Sequence, residues 1–257
     1  MTSPALSFRL SARYGKTAVL EDVASTIAPG EIVALVGLSG SGKSTLALAL
    51  LRLLHYRGGE ASGSILLAGR ELTALSQREM RAVRGKLIGY VPQSPAAALN
   101  ERLKVRTLLD ETWRAHASER PAENFFEQLL ESVQLPSTRD FREKRAGELS
   151  TGQGQRLLIG LAIMHRPPVL LADEPISALD AITQAAVLRL FEDLNRRHGT
   201  ALLFISHDLL SVASIGHRVE ILHKRQIVES GPPASIFTSP QHPFTQELVK
   251  AMPRGDW

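Results

Sequence analysis

The stretch Gly37-Leu-Ser-Gly-Ser-Gly42-Lys43-Ser44 constrains this chain more than any other part of it. It fits the spacing G-x-x-x-x-G-K-[ST] and follows Glu31-Ile-Val-Ala-Leu-Val36, an apolar run of the kind that forms a strand buried on both faces of a parallel sheet. Pro29-Gly30 breaks the chain ahead of that strand, and a helix is expected from Lys43 to about Leu54. A glycine turn between such a strand and such a helix curls backbone N–H groups around phosphate oxygens and aims the positive helix end at the same charge. Lys43 would reach the β- and γ-phosphates and Ser44 would offer a hydroxyl to Mg²⁺. Gly37, Ser39, Gly40, Ser41, Gly42 and Thr45 complete the expected cradle, whose ligand is a nucleoside triphosphate.

A second half of such a site is visible in Val169-Leu-Leu-Ala-Asp173-Glu174-Pro175. An apolar strand ending in two carboxylates places them at the carboxyl end of a sheet, where open α/β folds bind ligands. Adjacent acids at a strand end point in different directions. Asp173 is therefore expected to complete the Mg²⁺ site, and Glu174 to polarise a water for in-line attack on the γ-phosphate. The strand, a helix over roughly Ala181 to Arg197 and a further strand at Ala201-Leu-Leu-Phe-Ile205 form a βαβ unit, which predicts a parallel sheet.

Elsewhere the alternation of Phe8 and Leu10 with Ser7 and Arg9, followed by Val19, Val23 and Ile27, predicts short strands with one solvated face. Further strands are expected at Ser64–Ala68 and Leu87–Val91. Between Ser94 and His165, Leu108, Leu109, Trp113, Phe125, Phe126, Leu129, Leu130 and Val133 fall at helical spacing, and the three aromatics are expected in a helical core. The Arg139–Arg145 charge run reads as a solvated connection. Thirty Lys+Arg against 26 Asp+Glu is too small an excess for a nucleic-acid-binding surface. With no cysteine there is no disulfide, Cys-ligated metal or thiol nucleophile. The start lacks the pattern of a secretory signal, and the longest uncharged apolar run, Leu157–Met164, is far shorter than a membrane span. The chain is expected in the cytoplasm.

The two halves alone would suit a kinase, a GTPase or a motor. Four more stretches resemble the ATP-binding cassette (ABC) ATPases: Glu148-Leu-Ser150-Thr151-Gly152-Gln153-Gly-Gln-Arg156 their signature, Tyr90-Val-Pro-Gln93 their Q-loop, Ser177-Ala-Leu-Asp180 their D-loop and Ile205-Ser-His207-Asp208 their switch histidine. The resemblance, which runs along nearly the whole chain, implies an α/β P-loop NTPase (RecA-like) with a parallel-sheet core, an N-terminal antiparallel β subdomain and a helical subdomain. It implies that Ser150, Thr151, Gly152 and Gln153 close on the γ-phosphate bound to a head-to-tail partner, while His207 contacts the γ-phosphate of the subunit's own ATP and Gln93 senses Mg²⁺ and the attacking water. Tyr14 would stack on adenine, and Asp180, also a fitting helix N-cap, would tie the two subunits' sites together. Thr151 stands where the signature usually has glycine, which bears on the rate and the symmetry of the two sites. Ser206-His207-Asp208 holds triad residue types, but contiguous residues do not converge as a triad must.

The domain layout expected is 1–93 with 166–230 as the nucleotide-binding core and β subdomain, 94–165 as the helical subdomain, and 231–257 as a C-terminal tail. Val91-Pro-Gln-Ser-Pro-Ala-Ala-Ala-Leu-Asn100 and Ile236-Phe-Thr-Ser-Pro-Gln-His-Pro-Phe-Thr245 resemble the peptide/nickel branch of ABC importers. That branch implies two transmembrane permease subunits, a second ATPase subunit (identical or not) and an extracytoplasmic substrate-binding protein, with ATP and Mg²⁺ as cofactors and no nucleic acid. The location implied is peripheral, at the cytoplasmic face of the inner membrane, with uptake of peptides, nickel or a metal chelate. Two alternatives are a soluble ABC ATPase acting as a mechanical switch in translation or DNA repair, and a regulatory partner with a degenerate site.

Overall fold

The computed structural model describes residues 3–251, so the end of the expected tail, including Met252, lies outside the described residues. The strands are β1 (Leu6–Tyr14), β2 (Thr17–Ile27), β3 (Ile32–Val36), β4 (Gly59–Leu67), β5 (Arg70–Glu71), β6 (Ile88–Val91), β7 (Val169–Asp173), β8 (Ala201–Ser206), β9 (Arg218–His223) and β10 (Gln226–Gly231). The helices are α1 (Lys43–Leu50), α2 (Gln77–Val83), α3 (Pro95–Ala98), α4 (Val105–Arg114), α5 (Phe125–Ser132), α6 (Arg139–Glu143), α7 (Thr151–Ile163), α8 (Ala181–His198), α9 (Leu209–Ala213), α10 (Pro233–Thr238) and α11 (Pro243–Lys250). Two compact units contain them, one of residues 1–74 and 203–257, the other of residues 75–202.

In the first unit, β2-β1-β4-β5 form an antiparallel sheet whose inward positions, Leu6, Phe8, Leu10, Leu20, Val23 and Ile27, are buried, as the alternation predicts. Strand β4 begins earlier than expected. Gly63 sits opposite Leu10 at φ 119°, and a Cβ there would stand 2.0 Å from the Arg9 carbonyl oxygen, so glycine lets β4 continue against β1. Strand β3 is buried at every residue and runs parallel to β9, which pairs antiparallel with β10. Five apolar side chains removed from water there contribute about 1.5–3 kcal/mol for each large one.

Helix α1 is shorter than expected. Leu51 caps it by donating its N–H to the Ala47 carbonyl, and Arg52 turns to φ 53° while its guanidinium donates to the Leu72 carbonyl at 2.8 Å. A short 3₁₀ turn over Leu54–Arg57 follows. Nothing in a leucine-rich run announces this break, because the left-handed residue is an arginine rather than glycine.

Glu71 ties β4 to the chain after β5. It accepts from the Ile65 N–H (3.0 Å), the Thr73 N–H (2.9 Å), the Thr73 hydroxyl (2.8 Å) and the Ser64 hydroxyl. Burial opposes its ionisation, but these four donors outweigh burial and hold its pKa at about 2. The depressed value contributes stability that is present above pH 4.5 and is lost as pH falls toward 2. Glu71→Ala is expected to destabilise by about 1–2 kcal/mol at pH 7. Urea titrations at pH 7 and pH 3 check this, because the gap between variant and parent narrows at the lower pH.

In the second unit, β6 and β7 pair in parallel. Helices fill most of residues 94–165. α7 packs with α3, α4 and α5 and buries Leu157, Leu158, Ile159 and Ala162, while α4 and α5 bury Leu108, Leu109, Leu129 and Leu130. The expected core aromatics are half-buried instead: Trp113 donates from its indole to the Glu119 carbonyl (2.7 Å), and its ring lies 4.7 Å from that of Phe125. The charge run expected as a solvated connection is largely helix α6. Phe141 anchors it at 3% exposure, Arg142 pairs with Glu127 at 2.7 Å, and Glu143 pairs with Lys104 and Arg106. The two charges that follow Phe141 thus find partners on α5, on α4 and at the α4 N-cap.

Candidate active site

The glycine loop joins β3 to α1 within the first unit. Gly42 is the N-cap of α1 at φ 104°, and a Cβ there would meet the Leu20 and Val19 side chains of β2 at 2.8 and 3.0 Å. The position thus requires both left-handed backbone and the absence of a side chain. Lys43, only 4% exposed, folds back to donate to the Gly37 and Leu38 carbonyls at 2.8 and 3.0 Å, which holds an ammonium over the loop's concave side. The Ser41 hydroxyl is buried and has no hydrogen-bond partner, while a Cβ on Gly37 would fall 2.8 Å from it. Gly40, at φ 80°, has open space around it. An orphaned hydroxyl, an ammonium and a loop whose Gly37 leaves room beside that hydroxyl suit an anion such as a polyphosphate. Ser39 and Ser44 are exposed and Thr45 is half-buried along the same turn. Tyr14 ends β1 half-buried, with Gly59 beside its ring.

In the second unit, Asp173 ends β7 at 3% exposure, and Tyr90 of β6 donates its hydroxyl to the Asp173 carboxylate at 3.3 Å. The parallel register pairs Tyr90 with Leu171, two residues before Asp173, so the two side chains share a face. Glu174 leaves the strand at φ 46°, a left-handed conformation uncommon for a non-glycine residue. The Ser177 N–H and hydroxyl bind its carbonyl at 3.3 and 3.1 Å, and Gln93 donates its side-chain amide to its carboxylate at 3.2 Å. The two adjacent acids accept from different side chains, Asp173 from Tyr90 and Glu174 from Gln93. Neither the kink at Glu174 nor the role of Tyr90 is anticipated by the sequence reading, although the register of two neighbouring apolar strands carries a signal for the tyrosine.

Ser150 is the N-cap of α7. Its hydroxyl accepts from the Gln153 N–H at 3.2 Å, and the Gln153 side chain accepts the Ser150 N–H at 3.2 Å, a reciprocal capping box. Thr151 occupies the first helical position, exposed. Asp180 caps α8, accepting from the Ile182 and Thr183 N–H groups and the Thr183 hydroxyl. The hydrogen bonds from Thr183 hold its carboxyl below the ordinary range. Thr183 also faces the signature turn: a Cβ on Gly152 would meet its methyl at 2.9 Å. The structure thereby brings Ser150, Gly152 and Asp180 together, and separately Gln93, Asp173 and Glu174. His207 follows β8, exposed. The Ser206 hydroxyl accepts from the Asp208 N–H at 3.0 Å, and Asp208 accepts from the Leu210 N–H and the Ser211 hydroxyl, so these residues form a turn rather than a triad.

In the second unit the Asp173 carboxylate and the Gln93 side-chain carbonyl are hard oxygen donors of the type that suits Mg²⁺, and in the first unit the Ser44 hydroxyl is a donor of the same type.

A buried strand, glycine loop and helix in this order define a P-loop nucleotide-binding protein. The chain belongs to the ABC transporter family, whose profile matches residues 20–177, and it is an ABC-type ATPase cassette. It is 41% identical over 265 residues to the peptidoglycan transport ATP-binding protein YejF of Agrobacterium fabrum, a match covering 99% of this chain and 48% of that protein. The chain therefore spans about half the length of that relative. The oligopeptide transport ATP-binding protein OppD of Bacillus subtilis is 38% identical over 242 residues, covering 93% of this chain and 68% of its own length. In architecture the chain matches the ATP-binding cassette MJ0796, solved as a dimer in a post-hydrolysis state with ADP and Pi, at a TM-score of 0.75 and 24% identity, over 89% of this chain and 98% of that one. Among the described residues no helix is long and apolar enough to cross a membrane.

Proposed function

We propose that this chain is the ATP-binding subunit of an ABC importer and hydrolyses ATP between two head-to-tail subunits to drive uptake of peptides through partner permeases. The observation that supports it most is the buried Lys43 held over a glycine-rich loop, in a chain whose relatives are described as serving peptidoglycan and oligopeptide transport. Those descriptions favour peptides over nickel or a metal chelate as cargo, and transport over a role in translation or DNA repair. Two permease subunits, a second ATPase subunit and an extracytoplasmic binding protein complete the proposed assembly, with this chain peripheral on the cytoplasmic face. Residues 94–165 serve as the helical subdomain that meets the permease, residues 1–93 with 166–230 as the nucleotide core, and residues from 231 onward as the tail.

In this reading the N–H groups of residues 37–45 and the Lys43 ammonium bind the β- and γ-phosphates, and Tyr14 stacks on the adenine. Ser44, Gln93 and Asp173 hold Mg²⁺, which when bound neutralises charge developing on the phosphates. Glu174 takes the proton of the attacking water, Gln93 orients the Glu174 carboxylate, and His207 contacts the γ-phosphate. Ser150 and the start of α7 approach the γ-phosphate bound to the other subunit, with Asp180 linking the two sites.

Complementation tests the head-to-tail arrangement. Lys43→Ala disables the loop of its own subunit and Ser150→Phe blocks the signature turn. Mixed with the permease subunits, the two inactive variants should restore ATP hydrolysis, because the mixed dimer contains one intact loop facing one intact signature turn. If the mixture stays as inactive as either variant alone, each site is confined to one protomer and the proposal fails.

A further inference from the structure

In the second unit, α5, the end of α7, β7 and the end of α8 enclose a cavity of about 270 Å³ that shares no residue with the glycine loop, the acidic strand end or the signature turn. Its floor is apolar: Leu129, Leu170 and Leu194 are 9%, 2% and 6% exposed, and half-buried Phe125 forms a wall. Its rim is cationic. Arg166 and Arg197 line it, both are exposed, and neither makes an ion pair among the described residues. No acidic residue lines the cavity. Arg166 is set in place by the backbone, at φ 50°, with its N–H donating to the Ile163 carbonyl at 2.8 Å where α7 ends. Arg197 lies in the last turn of α8.

An apolar floor favours hydrocarbon, and two unneutralised guanidinium groups at one rim favour an anion that accepts paired hydrogen bonds. A single molecule meeting both demands has an apolar body and a carboxylate head. The volume, at the small end of ligand pockets, admits about ten non-hydrogen atoms. From this we infer that the cavity is a binding site for a small apolar carboxylate, such as a medium-chain fatty acid.

Calorimetric titration of the 257-residue chain with octanoate, octanol and octylamine tests the inference. Octanoate should bind at least tenfold more tightly than either of the other two. Arg166→Gln combined with Arg197→Gln should weaken octanoate about tenfold while leaving octanol unchanged. Leu129→Trp, which fills the floor, should remove binding of both, with circular dichroism confirming that each variant is folded. The inference is overturned if octanoate binds no better than octanol, if the double variant binds it as well as the parent, or if only an acidic amphipathic peptide and not octanoate occupies the cavity. These titrations need no nucleotide, so their failure is distinguishable from failure of the proposed transport function.

Discussion

Replacing Glu174 with glutamine is expected to lower ATP hydrolysis by about 10²–10⁴-fold while leaving ATP binding intact. Glutamine keeps the volume of glutamate and can still meet the amide of Gln93 through its carbonyl oxygen, so the 3.2 Å contact and the turn held by Ser177 survive. What is lost is the group that accepts a proton from water. Because the loop and Lys43 are untouched, the variant should hold ATP and accumulate as a nucleotide-bound dimer. Light scattering with and without ATP, alongside phosphate release from the protein assembled with its permease and partner subunits, checks both halves. The reading fails if the unmodified assembly shows no ATP hydrolysis that this change abolishes.

The second large effect lies in the first unit, away from the chemistry. Glu220 of β9 is 2% exposed and accepts from the Ser25 hydroxyl of β2 at 2.6 Å and from Arg218. Arg218 also donates to Glu31 at 2.8 Å and to the Thr26 carbonyl at 2.5 Å, so one guanidinium joins the edge of the antiparallel sheet to the strand beside β3. Burial raises the pKa of Glu220, Ser25 and Arg218 pull it back down, and Glu31 adds to the rise. Arg218→Ala leaves a carboxylate in the interior with its main counter-charge gone, a change that costs about 3–5 kcal/mol and should lower Tm by roughly 10 °C. The sign of the pH effect follows from the raised pKa. A carboxyl that prefers to be protonated in the folded state supports the fold fully below its ordinary value of 4.5, and the support disappears as pH rises through the folded value. The deficit of Arg218→Ala should therefore shrink between pH 7 and pH 5, and adding Glu220→Gln should recover most of it. Calorimetric melting at the two pH values checks this. An equal deficit at both would show that the lost packing of Arg218, not the stranded charge, is responsible.

What could be read from residues alone was whatever depends on a few consecutive positions. The strand before the loop, the glycine spacing, the acid pair at a strand end and the cap at Asp180 are all local, and each appears where it is expected. The end of α1 was not legible because Arg52, not a glycine or proline, makes the turn. The half-burial of Trp113 and Phe125 was hidden for another reason. Helical spacing says which residues share a face, but it does not say how much of that face a neighbour covers. The same limit applies to α6, whose charges read as solvated in the sequence and pair with Glu127, Lys104 and Arg106 in the fold. The Tyr90 to Asp173 bond joins residues far apart in sequence, and the kink at Glu174 is a property of one backbone angle.

The narrow fit of Gly152 against Thr183 has a corollary for substitution. A Cβ at position 152 would stand 2.9 Å from the Thr183 methyl, and Thr183 is held by its hydroxyl on Asp180, so a larger residue at 152 needs either a smaller one at 183 or a loosened cap on α8.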